Sequence, residues 1–180
     1  MRITLIRHLP TEWNHQQQLQ GRRDIEISPV SVEYQQGVAE NHRLLTKLAP
    51  FDLILASRLK RTHQTAYVYG YEPETEALLD ELDFGPFEGK PKKHLKDTYG
   101  DLWIEHPEEL VLGESLLHLK NRIELFFKKY NDVHHLLAFG HGAWIRAAIS
   151  FSEYGHINNM NKIELKNNSC VTLTIKDMEG

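Results

Sequence analysis

Residues 2–8 read Arg2-Ile3-Thr4-Leu5-Ile6-Arg7-His8, an apolar run that closes on a cation and an imidazole. The run is continuous rather than alternating, the pattern of a strand buried on both faces in a helix-covered parallel sheet. Two runs of the same kind follow, Phe51 to Ala56 and His134 to Phe139. Each also ends on polar chemistry. Ser57 follows the second, with Arg61 one turn later, and His141 follows the third, flanked by Gly140 and Gly142.

Helical patterns separate these strands. Ser28-Pro29 reads as an N-cap with proline in the first turn, and Tyr34, Val38, Leu45 and Leu48 recur at helical spacing before Pro50. Leu59 to Tyr69 reads as a helix stopped by Gly70, and Ala143 to Phe151 as another. Ser115 caps a helix whose stripe is Leu116, Leu119, Ile123, Phe126, Phe127 and Tyr130. Ile163 and Leu165, then Val171, Leu173 and Ile175, alternate with polar residues around Asn167-Asn168-Ser169, as two half-exposed edge strands would. Residues 82–112 carry three prolines, several glycines and weak periodicity, and read as an irregular excursion over one face. The pattern predicts one α/β domain over residues 1–180, layered as helices on both sides of a mostly parallel sheet.

Composition narrows the function classes. The chain has 180 residues, 41% hydrophobic and 26% charged, with a formal net charge of −4. That balance, with no segregated basic stripe, argues against a nucleic-acid partner. No run reaches transmembrane length, and the opening apolar run stops at Arg7, too soon for a secretory leader, so neither a membrane nor export is expected. Cys170, the single cysteine, cannot form an internal disulfide; it reads as a small buried hydrophobe in a cytoplasmic protein. There is no His-Glu-x-x-His and no paired-cysteine motif, so no metal and no cofactor are expected. Asp83-Phe84-Gly85 lacks the other kinase motifs, and Gly140-His141-Gly142 lacks the third glycine of a dinucleotide loop. His134-His135 reads as structural, and Trp13, Trp103 and Trp144 as packing anchors.

In open parallel sheets ligands bind beyond the carboxyl ends of the strands. Two arginines and two histidines converge at that edge: Arg7, His8, Arg61 and His141. A hydrophobic core would not accept them unpaired, so they call for an anion. A guanidinium fork suits phosphate oxygens, and a neutral imidazole is a competent nucleophile at phosphorus. The cations also disfavour the imidazolium and so hold His8 neutral.

These residues sit in blocks that resemble a known family. Leu5-Ile6-Arg7-His8-Leu9-Pro10-Thr11-Glu12-Trp13-Asn14 looks like the Arg-His-Gly-x-Thr-x-x-Asn signature of the histidine phosphatase (phosphoglycerate mutase-like) superfamily. Gln20-Gly21-Arg22-Arg23-Asp24, Ala56 to Ala66, Glu81 to Gly89, Gly113-Glu114-Ser115 and Phe139 to Ala147 match its later blocks in order, and an Asn-x-Ser-x-Val segment closes the set. The resemblance implies a phosphoglycerate mutase-like α/β/α sandwich, with residues 82–112 lying over the active-site face. It implies that His8 is phosphorylated, that Arg7, Arg61 and His141 hold the phosphoryl group, and that Asn14 adds a hydrogen bond. Gln20 and Gly21 would lie next to the substrate. Glu81 takes the general acid position, singled out from Asp80, Asp83 and Glu88 by the family pattern alone.

The expected activity is therefore hydrolysis of a small phosphorylated metabolite, without a metal, by a protein for which a homodimer is left open. A phosphoglycerate mutase shares these residues, but family mutases are longer between the Glu81 and Gly-Glu-Ser blocks and at the C-terminus. A phosphate-binding module without turnover is the other alternative. Two positions depart from the pattern: Leu9 stands where the family has glycine, and Pro10 where glutamate is common. Leu9 either narrows the pocket or packs into the core. His118, in place of a frequent aspartate, has no assigned role.

Overall fold

The computed structural model describes residues 1–176; the last four residues of the expected 1–180 span lie outside the described residues. Five strands form one sheet: β1 (Arg2–Arg7), β2 (Leu53–Ala56), β3 (Glu74–Thr75), β4 (His135–Gly140) and β5 (Cys170–Thr174). Their order is β3-β2-β4-β1-β5. β1, β2 and β3 run parallel to their neighbours, with β1 and β2 both paired to β4, and only β5 is antiparallel, along the outer edge of β1.

The continuous apolar runs are explained by what each face meets. Along β4, Leu136 and Ala138 face one core and Leu137 and Phe139 the other; in β1 and β2, Ile3, Leu5 and Leu55 oppose Ile6 and Ala56 in the same way. Successive strand side chains point to opposite faces, so an uninterrupted run is needed when both faces are dry. One core is completed by α6 (Leu116–Lys129) and α7 (Gly142–Tyr154) through Leu119, Ile123, Phe126 and Trp144. The other is completed by α2 (Val32–Leu48) and α3 (Lys60–Val68) through Leu45, Ala66 and the following Tyr69. The result is the expected three-layer α/β/α sandwich. His135 is fully buried and structural: its Nε2 meets Thr4 Oγ1 at 2.9 Å and its Nδ1 meets the Arg2 guanidinium at 3.0 Å.

Three local expectations need correction. α2 is capped by Ser31, whose hydroxyl accepts from Tyr34 N, and not by Ser28-Pro29. The Ser28 amide instead donates to Pro10 O at 2.9 Å, which keeps that stretch extended. Ile163 and Leu165 form no strand, because Leu165 O accepts from the Arg7 guanidinium instead of from a ladder. Residues 82–112 are more regular than expected, since they carry α4 (Lys93–Tyr99) and α5 (Asp101–Glu105), joined at Gly100, whose φ is +56°. Helices of seven and five residues are too short to show a clear 3.6-residue period. Ser115 caps α6 as expected, accepting from His118 N.

Candidate active site

Because β1, β2 and β4 are parallel, their carboxyl ends share one edge, and a cavity of about 240 Å³ opens there. That is below the roughly 300–1,000 Å³ of drug-sized pockets and suits a small metabolite. Its lining includes Arg7, His8, Asn14, Gln20, Gly21, Arg61 and Glu81, seven of the eight residues singled out from sequence. The eighth, His141, is fully buried beside His8, their rings edge to face with centroids 5.4 Å apart, and does not itself line the cavity.

The chain after β1 is fixed by backbone bonds on both sides. His8 N donates to Gly140 O at 3.0 Å, and Leu9 N donates to Thr65 Oγ1 at 2.9 Å. Thr11 caps the one-turn α1 (Glu12–His15) reciprocally with Asn14. Asn14 Oδ1 accepts from Thr11 N, Thr11 Oγ1 and Asn167 Nδ2, which leaves the Asn14 amide group to donate. Gln20 is positioned similarly, its Oε1 accepting from Thr11 Oγ1 at 2.7 Å. Leu9 resolves the question raised by its departure from the family glycine. Its side chain is 1% exposed and lines a separate crevice with Pro10, Pro29 and Tyr34, so it does not narrow the cavity.

His8 Nδ1 lies 2.6 Å from Leu9 O. A carbonyl only accepts, so Nδ1 carries the proton and Nε2 of the neutral ring keeps its lone pair. Burial, and after it Arg61 and Arg7, hold the His8 pKa well below its ordinary 6.5. The direction matches the expectation from sequence, but the leading cause is burial rather than the arginines. His141 is shifted the same way by burial, Arg61 and His8. Its Nε2 meets Ser57 Oγ at 2.7 Å, while its Nδ1 is buried with no partner among the described residues.

The arginines are anchored and yet incompletely satisfied. Arg61 donates through Nη1 to Arg23 O at 2.6 Å and through Nη2 to Gly21 O at 2.7 Å; among the described residues its Nε is buried without a partner, as is that of Arg7. Burial lowers both guanidinium pKa values to about 10, which leaves them charged at neutral pH. Gly142 makes room for this arrangement: a Cβ there would sit 3.0 Å from Arg7 Nε. The glycine after His141 therefore serves the approach of Arg7.

Glu81 is fixed between its own loop and the start of α7. Its Oε1 accepts from Leu82 N at 2.8 Å and Trp144 N at 3.0 Å, and its Oε2 accepts from Ala143 N at 3.0 Å. It thus satisfies the open amide groups in the first turn of α7. Among the described residues it is the one carboxylate lining the cavity. Asp80 is bound to Arg58, Asp83 Oδ1 accepts from Gly85 N, and Glu88 is held by Arg22 N and Arg23.

Sequence reasoning missed part of the lining: Lys92, Trp103, Arg146 and Asn161. Arg146 lies one turn beyond Gly142 on α7, and that i+4 spacing was the available signal. Its Nε is also buried without a partner among the described residues. Lys92 is one of three lysines in a short loop, with nothing local to distinguish it. Its pKa is lowered by burial, then by Arg7 and Arg146. Trp103 both packs in the core and lines the cavity.

The family model described as the histidine phosphatase superfamily (branch 1) matches residues 3–180. The chain belongs to this superfamily. Phosphoserine phosphatase 1 of Hydrogenobacter thermophilus is 27% identical to it over 145 residues, covering 74% of this chain and 66% of that protein. An Arabidopsis thaliana protein named "Probable 2-carboxy-D-arabinitol-1-phosphatase" is 30% identical over 118 residues, 62% of this chain; the chain spans only 24% of that relative. Among solved structures, the phosphoserine phosphatase of Entamoeba histolytica in complex with 3-phosphoglyceric acid superposes with a TM-score of 0.77 at 26% identity, covering 95% of this chain and 89% of that one. The histidine phosphatase fold thus holds over the α/β/α sandwich. Among the described residues no helix is long and apolar enough to cross a membrane.

Proposed function

We propose that this histidine phosphatase superfamily member hydrolyses small phosphomonoesters through a phosphohistidine formed on His8. The observation that carries the reading is a neutral imidazole on the cavity wall, its Nε2 holding a free lone pair, with Arg7 and Arg61 lining the same cavity and their Nε atoms buried without partners among the described residues. Buried polar groups are rarely left unsatisfied, and an anion in the cavity would answer the two guanidinium groups.

In this reading His8 Nε2 attacks phosphorus as the ester P–O bond breaks. Glu81 Oε2, which accepts only one amide bond, carries the proton that passes to the leaving oxygen. The ionised Glu81 then takes a proton from water as that water attacks the phosphohistidine, releasing inorganic phosphate and regenerating neutral His8. Phosphoryl transfer depends chiefly on positioning and on charge stabilisation, which Arg7 and Arg61 supply without a metal. Lys92 and Arg146 add positive charge to a cavity with one carboxylate and favour substrates that carry negative charge beyond the phosphoryl group. The reading is supported by the superfamily membership and by the phosphatase names of its relatives.

The test is release of inorganic phosphate from an aryl phosphate in the presence of a chelator. Turnover at the same rate with and without chelator is expected. Loss of activity in chelator, regained on adding a divalent ion, would overturn the metal-independent reading.

A further inference from the structure

The peptide that carries Glu81 is held by a residue to which no role attaches so far, Arg122 of α6. Arg122 is buried, 8% exposed, and four of its five N–H groups are used. Nε donates to Glu114 Oε2 at 2.7 Å and Nη2 to Glu114 Oε1 at 2.9 Å, a bidentate pair across eight residues. The remaining nitrogen, Nη1, reaches the main chain just before Glu81, donating to Leu78 O at 2.8 Å and to Asp80 O at 3.0 Å. Leu78 O also accepts from the indole of Trp144, whose own amide donates to the Glu81 carboxylate. On the other side, Arg22 Nε donates to Glu81 O at 2.6 Å.

A buried guanidinium with a bidentate carboxylate is costly to desolvate, and a structural role alone would be met as well by apolar packing. What this pair provides is direction: two fixed N–H vectors on the carbonyls just before Glu81. We propose that Arg122, oriented by Glu114, is a positioning residue for Glu81, setting the carboxyl where it meets the leaving oxygen. The proposal rests on the reading of Glu81 as general acid. Arg122 does not line the cavity. Its loss should act only on the step that needs Glu81, because His8, Arg7 and Arg61 are held by other contacts. Misplacement of a catalytic group by about 1 Å can cost roughly a hundredfold.

The experiment measures kcat/KM for a series of phosphate esters graded by leaving-group acidity, for the parent, Arg122→Met, Arg122→Lys, Glu114→Gln, Glu81→Gln and the double variant Glu81→Gln with Arg122→Met. Thermal unfolding confirms that each is folded; if Arg122→Met is not, Arg122→Lys and Glu114→Gln carry the test. The expected result is a loss of about tenfold or more on alkyl esters in the Arg122 and Glu114 variants, with less than about twofold loss on an ester of an acidic phenol. The Arg122 change should add little in the Glu81→Gln background. A loss equal for all leaving groups, or fully additive with Glu81→Gln, would overturn the positioning role. If Glu81→Gln itself shows no dependence on the leaving group, the reading of Glu81 as acid fails instead, and the positioning role fails with it.

Discussion

Two walls of the same cavity are built in different ways. The wall from the strand ends carries Arg7, His8 and Arg61, with Glu81 set against the first turn of α7; His8, Arg61 and Glu81 are nearly fully buried, and each of the four is tied to backbone groups. The wall from residues 84–104, the second turn of α7 and the segment near Asn161 carries Lys92, Trp103 and Arg146. The Lys92 main chain is held, its amide donating to Gln17 O at 3.0 Å, but its ammonium makes no hydrogen bond or ion pair among the described residues. A rigid wall can hold a transition state, because its donors are oriented before the substrate arrives. A looser, cationic wall can select substrates by charge but contributes equally to ground state and transition state.

That contrast makes the strand-end wall the place where substitutions should cost most. Arg61→Ala removes a guanidinium held by Arg23 O and Gly21 O, and kcat/KM should fall by about a thousandfold, mostly in kcat. A fall confined to KM would mean that Arg61 binds ground state and transition state alike.

A smaller and more diagnostic effect is expected from pH. His8 must be neutral to attack, and burial with its arginine neighbours holds its pKa well below 6.5. Lowering the pH converts the nucleophile to its protonated form only below that shifted value, so the acid limb of kcat/KM should lie well below pH 6.5. The alkaline limb, on esters with poor leaving groups, reports ionisation of the general acid. Glu81→Gln should flatten the alkaline limb, lower activity by about a hundredfold and leave the acid limb in place. Survival of both limbs would remove Glu81 from the role; Asp83 and Glu88, engaged elsewhere and away from the cavity, would then need to move to replace it.

How much of this was legible from sequence follows the same division. The strands declared themselves because both faces of the sheet are dry, and the residues at their ends were found with them. Asn14 and Gln20 were found through motif spacing, although what fixes them is Thr11. Glu81 could not be chosen from sequence without the family pattern, because its partners in α7 lie 62 and 63 residues away. Ser31 was missed as the cap of α2 because Ser28-Pro29 offers the same local signal, and only the bond from Ser28 N to Pro10 O decides between them. Trp103 was illegible because it enters on a helix too short to show a period, and Lys92 because nothing local sets it apart from Lys90 and Lys93. Leu9, ambiguous in sequence, was settled by the separate crevice that its buried side chain lines.

Lys92→Gln tests the looser wall. KM should rise a few-fold with kcat unchanged, and the rise should be larger for substrates with a carboxylate or second phosphate than for a simple aryl phosphate. An equal change for both kinds of substrate would show that the lysine does not read charge. Leu9→Ala should have the smallest effect on catalysis, within about twofold in kcat/KM, while costing about 2–4 kcal/mol in stability because it empties a packed site away from the cavity. A large change in substrate range with little loss of stability would place Leu9 at the cavity after all.

The central claim is that phosphorus is transferred to His8. Rapid quenching of the enzyme during turnover of a labelled aryl phosphate, followed by mapping of label that survives base and is lost in acid, tests it directly. The account predicts label on His8 of the parent, retained in Glu81→Gln with an acidic leaving group, and absent from a folded His8→Ala protein. Equal labelling of His8→Ala and the parent would contradict it.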